Sequence, residues 1–437
     1  MTSAAIRIAR SQLIAARNVL RGWPLTYTGA TSMTLDQDDL DLAEELLRDR
    51  SSWSDLAAIE QFERAFAEYT GSRHALTFVS GRVALAAALQ ALGLGRGDEV
   101  VVPGYTCVVV ANALAHVGVT PIYADIEGRT YGLDAEAFRA AITPRTKAVI
   151  VQHLYGLVSR DSAAVIAIAR ERGLAVIEDC AQSAGALIGD RRVGNFGDVG
   201  FFSADPSKPL NCVQGGIAVT NDEQLFERLA AIQRGMDFHS QETTANRLRN
   251  VWLNYTLNKD PQRWWKAEIS WARHGAEYFY GIPAAEVDGA PPADHSCRMS
   301  PPLARLALNQ LKKLEYYNER RRANADRWST WCRENGFEPP LVSAGSTPTF
   351  LRYPVQVRAD MKRDLRWAYR SLGVVPGQWF QTHLHPAAVR FDHLPNATAA
   401  VDCCINLPTL YYADRWQGTD GGSAASVRAT SGAPHGD

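Results

Sequence analysis

The chain has 437 residues, of which 46% are hydrophobic and 21% are charged, proportions that are typical of a globular protein. Its formal net charge of −1 excludes the strong positive field that favours nucleic acid or an anionic membrane surface. The seven cysteines are odd in number and include no CxxC pair. The sequence therefore indicates a reducing compartment, which we expect to be the cytoplasm, and neither a disulfide framework nor a metal site.

The first 55 residues are predicted to form a helical extension. Four arginines interrupt its apolar residues, so it lacks the apolar run of a signal peptide, and a docked helix is favoured over an amphipathic surface helix. Residues 100–124 carry no full charge over a length that could cross a bilayer. Prolines and a Pro-Gly turn divide this segment into strand, turn, helix and strand, so we expect no membrane span.

From about residue 74, short apolar runs alternate with helical patterns of about a dozen residues. HALTFVS precedes GRVALAAALQAL, EVVVPGYT precedes CVVVANALAHVG, and KAVIVQHLYG precedes DSAAVIAIARERG. Continuous apolar strands are typical of a sheet that is covered on both faces. The sequence predicts an α/β fold with a mostly parallel sheet flanked by helices, in a large domain over residues 56–297.

The alternation stops after residue 222. A Trp-rich insertion is predicted at about residues 235–297, most simply a packed helical segment, with a substrate platform or a membrane-surface face as alternatives. A smaller α+β domain is expected over residues 298–413, and it begins with a long helix that stops at Gly336. Residues 414–437 are rich in Gly, Ser and Ala and are predicted to be disordered.

Polar side chains follow several of the predicted strands, at the edge of a parallel sheet where ligands bind. Asp179 ends the strand LAVIED, Ser203 and Lys208 follow the strand in FFSADPSK, and Ser80-Gly81 begins a helix whose free N–H groups attract a phosphate. A buried lysine is costly unless it is paired, and desolvation makes it a nucleophile. Taken alone, Lys208 would more often lie at the surface. Together, these residues predict a site for pyridoxal 5′-phosphate (PLP).

The motifs VIEDCAQSAGA, GNFGDVGFFSADPSK and QGGIAVTND resemble those of the DegT/DnrJ/StrS family of sugar aminotransferases. The resemblance covers residues 62–412, roughly four-fifths of the chain. It implies a PLP enzyme of fold type I, similar to aspartate aminotransferase, that acts as a homodimer with shared active sites.

The resemblance also implies roles for single residues. Lys208 forms the Schiff base with the cofactor, Asp179 contacts the pyridine nitrogen, and Gln182 lies near the phenolic oxygen. Ser203, Ser80, Gly81 and Arg82 are the candidates for the phosphate, and Cys107 stands where the family has a ring-stacking aromatic residue. Arg298, matched to the family's Asn-x-Arg, is the candidate for a substrate anion from the partner chain, or is an ordinary interface residue. His153 and Tyr155 are further candidates for substrate binding, although His153 is equally well explained as a structural residue.

The predicted function is the transfer of an amino group, with L-glutamate as the implied donor, to a nucleotide-linked keto sugar in amino-sugar, polysaccharide or natural-product biosynthesis. One alternative is a sugar dehydratase of the same family. The lysine at position 208 argues against the dehydratases that carry histidine there. A second alternative is a catalytically silent regulatory or scaffold protein on this fold. Cys107 and Ser296 support it, because they stand where the family has an aromatic residue and the asparagine of Asn-x-Arg. The sequence does not indicate which sugar or which carbon is aminated.

Overall fold

The computed structural model of the chain describes residues 32–259, 282–372, 374 and 376–411. The predicted helix before residue 32, part of the Trp-rich insertion and the predicted disordered tail lie outside these residues. The strands are β1 (His74–Phe78), β2 (Glu99–Pro103), β3 (Thr106–Cys107), β4 (Thr120–Ala124), β5 (Thr146–Gln152), β6 (Ala175–Asp179), β7 (Leu187–Ile188), β8 (Arg191–Arg192), β9 (Val199–Ser203), β10 (Gly216–Thr220), β11 (Asp237–Phe238), β12 (Cys297–Arg298), β13 (Ser346–Thr347), β14 (Tyr353–Gln356), β15 (Leu384–His385) and β16 (Cys404–Leu407).

The α-helices are α1 (Gln37–Arg48), α2 (Ala57–Thr70), α3 (Gly81–Ala91), α4 (Val108–Val117), α5 (Ala135–Ala141), α6 (Ser162–Glu171), α7 (Glu223–Arg234), α8 (Gln241–Lys259), α9 (Ala284–Val287), α10 (Pro301–Leu311), α11 (Leu314–Glu334), α12 (Ala359–Arg363), α13 (Arg366–Leu372) and α14 (Pro395–Cys403). None of these helices is both long enough and apolar enough to cross a membrane.

Seven strands form the main sheet in the order β1-β10-β9-β6-β5-β2-β4. The five strands from β9 to β4 run parallel, whereas β10 runs antiparallel to both of its neighbours. Helices α4, α5 and α6 connect successive parallel strands, as crossovers in such sheets require. The predicted mostly parallel sheet is confirmed.

Helices cover both faces of this sheet. On one face, Leu85 of α3, Leu114 of α4 and Leu229 of α7 pack in a common core with the strands. On the other face, Phe138 of α5 and Ile168 of α6 pack over the parallel strands. Because apolar side chains are needed on both faces, β2, β9 and β10 are buried along their whole length. The continuous apolar runs in the sequence have this physical origin.

The segment before the large domain is fixed by a buried ion cluster. Lys313, 1% exposed, lies 2.8 Å from Asp38 Oδ1 and 2.5 Å from Asp39 Oδ2, and Asp36 is 3.5 Å away. Asp36 and Asp39 also form the capping box of α1. Burial opposes the charge of Lys313, but the aspartates outweigh it and raise its pKa above the usual value. This cluster attaches α1 to the start of α11.

A second core joins the C-terminal elements to the main sheet. It contains residues of α11, β14, α14 and β16, and it also includes Tyr105 and Tyr155 from the loops that follow β2 and β5. Helix α10 belongs to the core of the large domain through Leu303 and Leu306. In the described residues, this second core therefore combines α11 and later elements with loops of the main sheet, and the predicted domain boundary at residue 298 stays a prediction.

Candidate active site

A cavity of about 320 Å³ lies at the carboxyl edge of the parallel strands. The strand register explains why its residues meet there: Asp179 at the end of β6 lies opposite Gln152 and Phe201, and Ser203 at the end of β9 lies opposite Gly216. Eight of the predicted site residues line this cavity: Gly81, Arg82, Cys107, His153, Asp179, Gln182, Ser203 and Lys208. A volume of this size suits a small-molecule ligand.

Asp179 presents one carboxylate oxygen to the cavity. Its Oδ1 accepts a hydrogen bond of 3.0 Å from the backbone N–H of Ala181, and its Oδ2 has no hydrogen-bond partner among the described residues. Burial raises the pKa of this carboxyl, while the Ala181 N–H and the nearby Lys208 counteract the increase. A buried carboxylate with a free oxygen is stabilised by a cationic or N–H group of a ligand.

His153 and Glu178 form a buried pair beside Asp179. His153 Nδ1 accepts from the Ser159 N–H at 3.2 Å, so Nε2 carries the proton and donates to Glu178 Oε2 at 3.3 Å. Three backbone N–H groups, from residues 194, 196 and 197, also donate to Glu178. Burial would raise the Glu178 pKa, but His153 and these donors hold it below the usual value. Both His153 nitrogens are therefore occupied, and only its ring borders the cavity.

Gln182 and Tyr155 are connected through one hydrogen bond. The Tyr155 N–H donates to Gln182 Oε1 at 2.9 Å, and this contact leaves the Gln182 Nε2 amino group free to donate into the cavity. Tyr155 itself is fully buried and does not line the cavity. Its hydroxyl instead contacts the Tyr105 hydroxyl at 2.8 Å and the Trp379 carbonyl at 2.5 Å. Tyr155 therefore lies behind the residues that line the cavity, and its predicted contact with substrate stays a prediction.

Unpartnered donors gather at the start of α3. The hydroxyl oxygens of Ser80 and Ser203 are buried and make no hydrogen bond of ordinary geometry with another described residue, although Ser203 lies close to Asp205. Ser80 precedes the first turn of the helix without capping it through its side chain, so the first N–H groups also remain available. A Cβ at position 81 would lie only 3.0 Å from Ser203 Cβ, and this close approach explains the glycine. Buried orphan donors at a helix N-terminus fit a phosphate group.

Arg82, the next residue of α3, borders the same end of the cavity. Its guanidinium is 2.5 Å from Glu286 Oε1, and both side chains are largely buried. Arg82 Nε has no hydrogen-bond partner in the part of the chain that the structure describes. Burial raises the pKa of Glu286, and the charge of Arg82 counteracts that increase. Glu286 was not predicted from the sequence, because it lies more than 200 residues from Arg82 in the chain, in the short helix α9.

Lys208 is the free amine of the cavity. Among the described residues, its Nζ takes part in no hydrogen bond and no ion pair, whereas its backbone N–H donates to the Asp205 carbonyl at 3.0 Å. The charge of Lys208 acts on Asp179, Asp205 and Cys107. Burial raises the pKa of the Cys107 thiol, so Cys107 borders the cavity as a neutral group at neutral pH. The lysine therefore faces the centre of the site with its nitrogen available for reaction.

The smaller domain supplies a wall of the cavity that the sequence analysis missed. Trp379, Phe380 and His385 line it, and β15 brings His385 beside Cys107 by pairing with β3. Burial lowers the pKa of His385 to about 4, so its ring is neutral at neutral pH. The only sequence signal was a group of aromatic and histidine residues in the segment GQWFQTHLHPA. No periodicity of that segment indicates that it folds back onto the large domain.

Arg298 does not line the cavity of its own chain. It lies in β12, which pairs with β11, and its guanidinium carbon is 4.2 Å from the centre of the Phe238 ring. Its Nε is buried and has no hydrogen-bond partner within residues 32–259 and 282–411, as far as these are described. A contact with substrate in the partner chain's site, as the resemblance implies, stays a prediction.

The fold and the site together define a class of protein, the PLP-dependent enzymes of fold type I. The aminotransferase of Psychrobacter cryohalolentis has the same fold: its structure superposes with a TM-score of 0.67 at 24% identity and covers 87% of this chain and 94% of its own. The predicted fold class is thereby confirmed. The model of the DegT/DnrJ/EryC1/StrS aminotransferase family matches residues 34–413, and the chain belongs to that family.

Curated relatives are similar over part of the chain. The L-glutamine:2-deoxy-scyllo-inosose aminotransferase of Streptoalloteichus tenebrarius is 35% identical over 305 residues, which are 70% of this chain and 63% of that protein. The UDP-N-acetyl-3-dehydro-alpha-D-glucosamine 3-aminotransferase of Acidithiobacillus ferrooxidans is 45% identical over 172 residues, 39% of this chain and 46% of that protein. The chain thus spans less than two thirds of the length of these two relatives.

Proposed function

We propose that the chain is a PLP-dependent aminotransferase that moves an amino group from L-glutamate to a nucleotide-linked keto sugar. The observation that carries this proposal is the cavity that Lys208, Asp179 and Ser203 line, together with Gly81, which follows the buried Ser80 at the start of α3. PLP requires three groups from the protein: a nucleophilic amine, an acid that contacts the ring nitrogen, and donors that bind the phosphate. A cytoplasmic homodimer, in which Arg298 reaches the partner's site, is part of the same proposal.

The residues present fit the cofactor. Ser80, Ser203 and the first N–H groups of α3 would hold its phosphate, and Gln182 Nε2 would donate to its phenolic oxygen. Asp179 Oδ2 would accept from the protonated pyridine nitrogen. When bound, PLP supplies an electron sink for the charge that is left when a C–H bond next to an amine breaks.

Lys208 has two tasks in this proposal. Its Nζ would hold the cofactor covalently until an amino donor displaces it. The released amine would then act as a general base and a general acid, carrying the proton of the donor's α-carbon to the neighbouring cofactor carbon and, with the acceptor bound, carrying a proton in the opposite direction. Because Nζ has no partner among the described residues, it is free to move between these positions.

Asp179 supports the same reaction electrostatically. The negative charge at the end of β6 would keep the ring nitrogen of the cofactor protonated, and the Ala181 N–H fixes the orientation of the carboxylate. His153 and Glu178 lie behind it, and the His153 N–H donates to the Asp179 carbonyl at 3.0 Å. These buried hydrogen bonds position the strand end on which the acid stands.

The names of the two relatives support the proposed acceptor class, a carbonyl on a ring bearing several oxygens. One of those names contains a nucleotide-linked sugar, and the other contains L-glutamine as donor. The test of the donor therefore compares L-glutamate with L-glutamine.

The experiment is the visible absorbance spectrum of the purified protein with PLP, before and after each amino donor. We expect a yellow form that bleaches with L-glutamate and returns when a nucleotide-linked keto sugar is added. Lys208→Ala should eliminate both changes, whereas Lys147→Ala, which removes an exposed lysine of β5, should leave them intact. A spectrum that never responds to an amino donor would refute the aminotransferase proposal and favour the silent scaffold.

A further inference from the structure

Asp205 borders the cavity but has no part in the reaction derived above. It lies between Ser203 and Lys208 in the sequence, at the turn that the Lys208 N–H closes on the Asp205 carbonyl. Its Oδ1 is buried and makes no hydrogen bond of ordinary geometry among the described residues, although the Ser203 side chain lies close enough to counteract the rise of the Asp205 pKa. Buried carboxylate oxygens that accept no hydrogen bond are rare in folded proteins, so this one requires an explanation.

Charges of both signs surround Asp205. Arg82 and Lys208 are the cations that stabilise its charge, and Asp294 is an acid that acts on it in the opposite sense. Glu286 is a third acid, and it already pairs with Arg82 at 2.5 Å. Before any ligand enters, three carboxylates therefore face two cations at this end of the site.

The charged groups further from Asp205 do not give this end of the site an excess of cations. His239 lies 3.6 Å from Asp294, and burial lowers its pKa, so the ring is largely neutral at neutral pH. Arg247 acts on His239 and donates to Gln214, whose amide in turn donates to Asp294 at 2.5 Å. The Cys212 thiol is kept neutral by burial, which raises its pKa, and by the charge of Asp205.

A phosphate monoester brings between about −1.5 and −2 charges at neutral pH. The Ser203 hydroxyl, which fits such a group, lines the same cavity as Asp205 and interacts with it. Like charges at close range in a buried site cannot all remain ionised, and the group with the least stabilised charge takes up a proton. Burial already raises the pKa of Asp205, with Arg82 and Lys208 counteracting the increase.

We propose that Asp205 takes up one proton from solvent when a phosphate-bearing ligand binds in this cavity, and so couples cofactor affinity to pH. The inference rests on the proposed function, because it takes the phosphate to be that of the cofactor. The protonated carboxyl becomes a hydrogen-bond donor beside the Ser203 hydroxyl. The phosphate then shares the cations Arg82 and Lys208 with one negatively charged carboxylate fewer.

The experiment is isothermal titration calorimetry of the cofactor-free protein with pyridoxine 5′-phosphate, which carries the phosphate but has no aldehyde. Titrations at pH 7.5 in two buffers of different ionisation enthalpy give the number of protons taken up on binding. We expect the wild-type protein to take up about one proton more than Asp205→Asn. Between pH 7 and 8, the wild-type affinity should fall up to about tenfold more than that of the variant.

Two controls separate Asp205 from other acids. Asp190→Asn removes an exposed carboxylate and should behave as wild type. Asp294→Asn removes the neighbouring acid and should keep most of the proton uptake. Asp205→Ser is a second variant that cannot titrate and must agree with Asp205→Asn.

The outcomes are distinct. Equal proton uptake by the wild-type protein and both Asp205 variants, or no uptake by wild type, would overturn the inference while leaving the proposed function intact. Loss of the uptake in Asp294→Asn but not in the Asp205 variants would overturn it as well. No binding of pyridoxine 5′-phosphate to the wild-type protein would overturn the proposed cofactor and this inference together.

Discussion

Replacing Glu178 by glutamine is expected to loosen the strand end that carries Asp179. The Glu178 carboxylate is 1% exposed and accepts from Gly194 at 2.9 Å, from Phe196 at 2.5 Å and from Gly197 at 2.7 Å. The protonated Nε2 of His153 supplies a fourth donor. Glutamine has the same shape, but its amino group must face one pair of these donors.

Two buried donors then lose their acceptor in either orientation of the amide. Each such loss costs about 1–3 kcal/mol, so the change should destabilise this part of the protein by roughly 3 kcal/mol. At 1.36 kcal/mol for each factor of ten, local opening should increase about a hundredfold. Hydrogen–deuterium exchange of the segment 193–198 measures that opening directly.

The matched control is Glu171→Gln, which changes an exposed glutamate of α6 and should leave the exchange of the same segment unchanged. The Glu178 pKa is lower in the folded chain, so its stabilisation is complete above the usual pKa of glutamate. It is lost as the pH falls through the lower, folded value. The difference between the wild-type protein and Glu178→Gln should therefore shrink in acid. An increase in exchange of less than about threefold at pH 7 would refute this reasoning.

Three further changes test other parts of the structure. Gly81→Ala places a methyl group 3.0 Å from Ser203 Cβ and should weaken the binding of pyridoxine 5′-phosphate about tenfold, as measured by calorimetry. The control Gly95→Ala has open space around the added methyl group and should bind this ligand as the wild-type protein does. Asp179→Asn removes the charge for the ring nitrogen and should lower the rate of bleaching by L-glutamate by about 10²–10³ in stopped-flow absorbance. Lys313→Met leaves buried aspartates without their cation and should lower the free energy of unfolding, measured in urea, by about 3–5 kcal/mol. Because the pKa of Lys313 is raised on folding, its stabilisation is complete below pH 10.5 and is lost as the pH rises through the pKa of the folded state.

The sheet and its ligand edge followed from the sequence because local patterns determine them. Continuous apolar runs predicted covered strands, and the carboxyl ends of parallel strands must meet at one edge. Asp179, Ser203 and Lys208 were therefore predicted together before any contact between them was known, and the structure brings them to one cavity.

Other parts of the site depend on contacts between distant segments, which local patterns do not encode. Glu286 reaches Arg82 from a short helix, and Tyr155 turns away from the cavity because its hydroxyl contacts the Trp379 carbonyl. His385 enters the site only because β15 pairs with β3. None of these pairings leaves a periodic signal in the sequence, since each is set by how the smaller domain packs on the larger one.

The covalent attachment of the cofactor tests the central claim most directly. The protein is incubated with PLP, reduced with borohydride, digested and analysed by mass spectrometry, with Lys208→Ala and Lys147→Ala treated in parallel. The account predicts a phosphopyridoxyl group on Lys208 in the wild-type and Lys147→Ala proteins, and none at specific occupancy in Lys208→Ala. Attachment at another lysine, or no stable attachment to the wild-type protein, would contradict it.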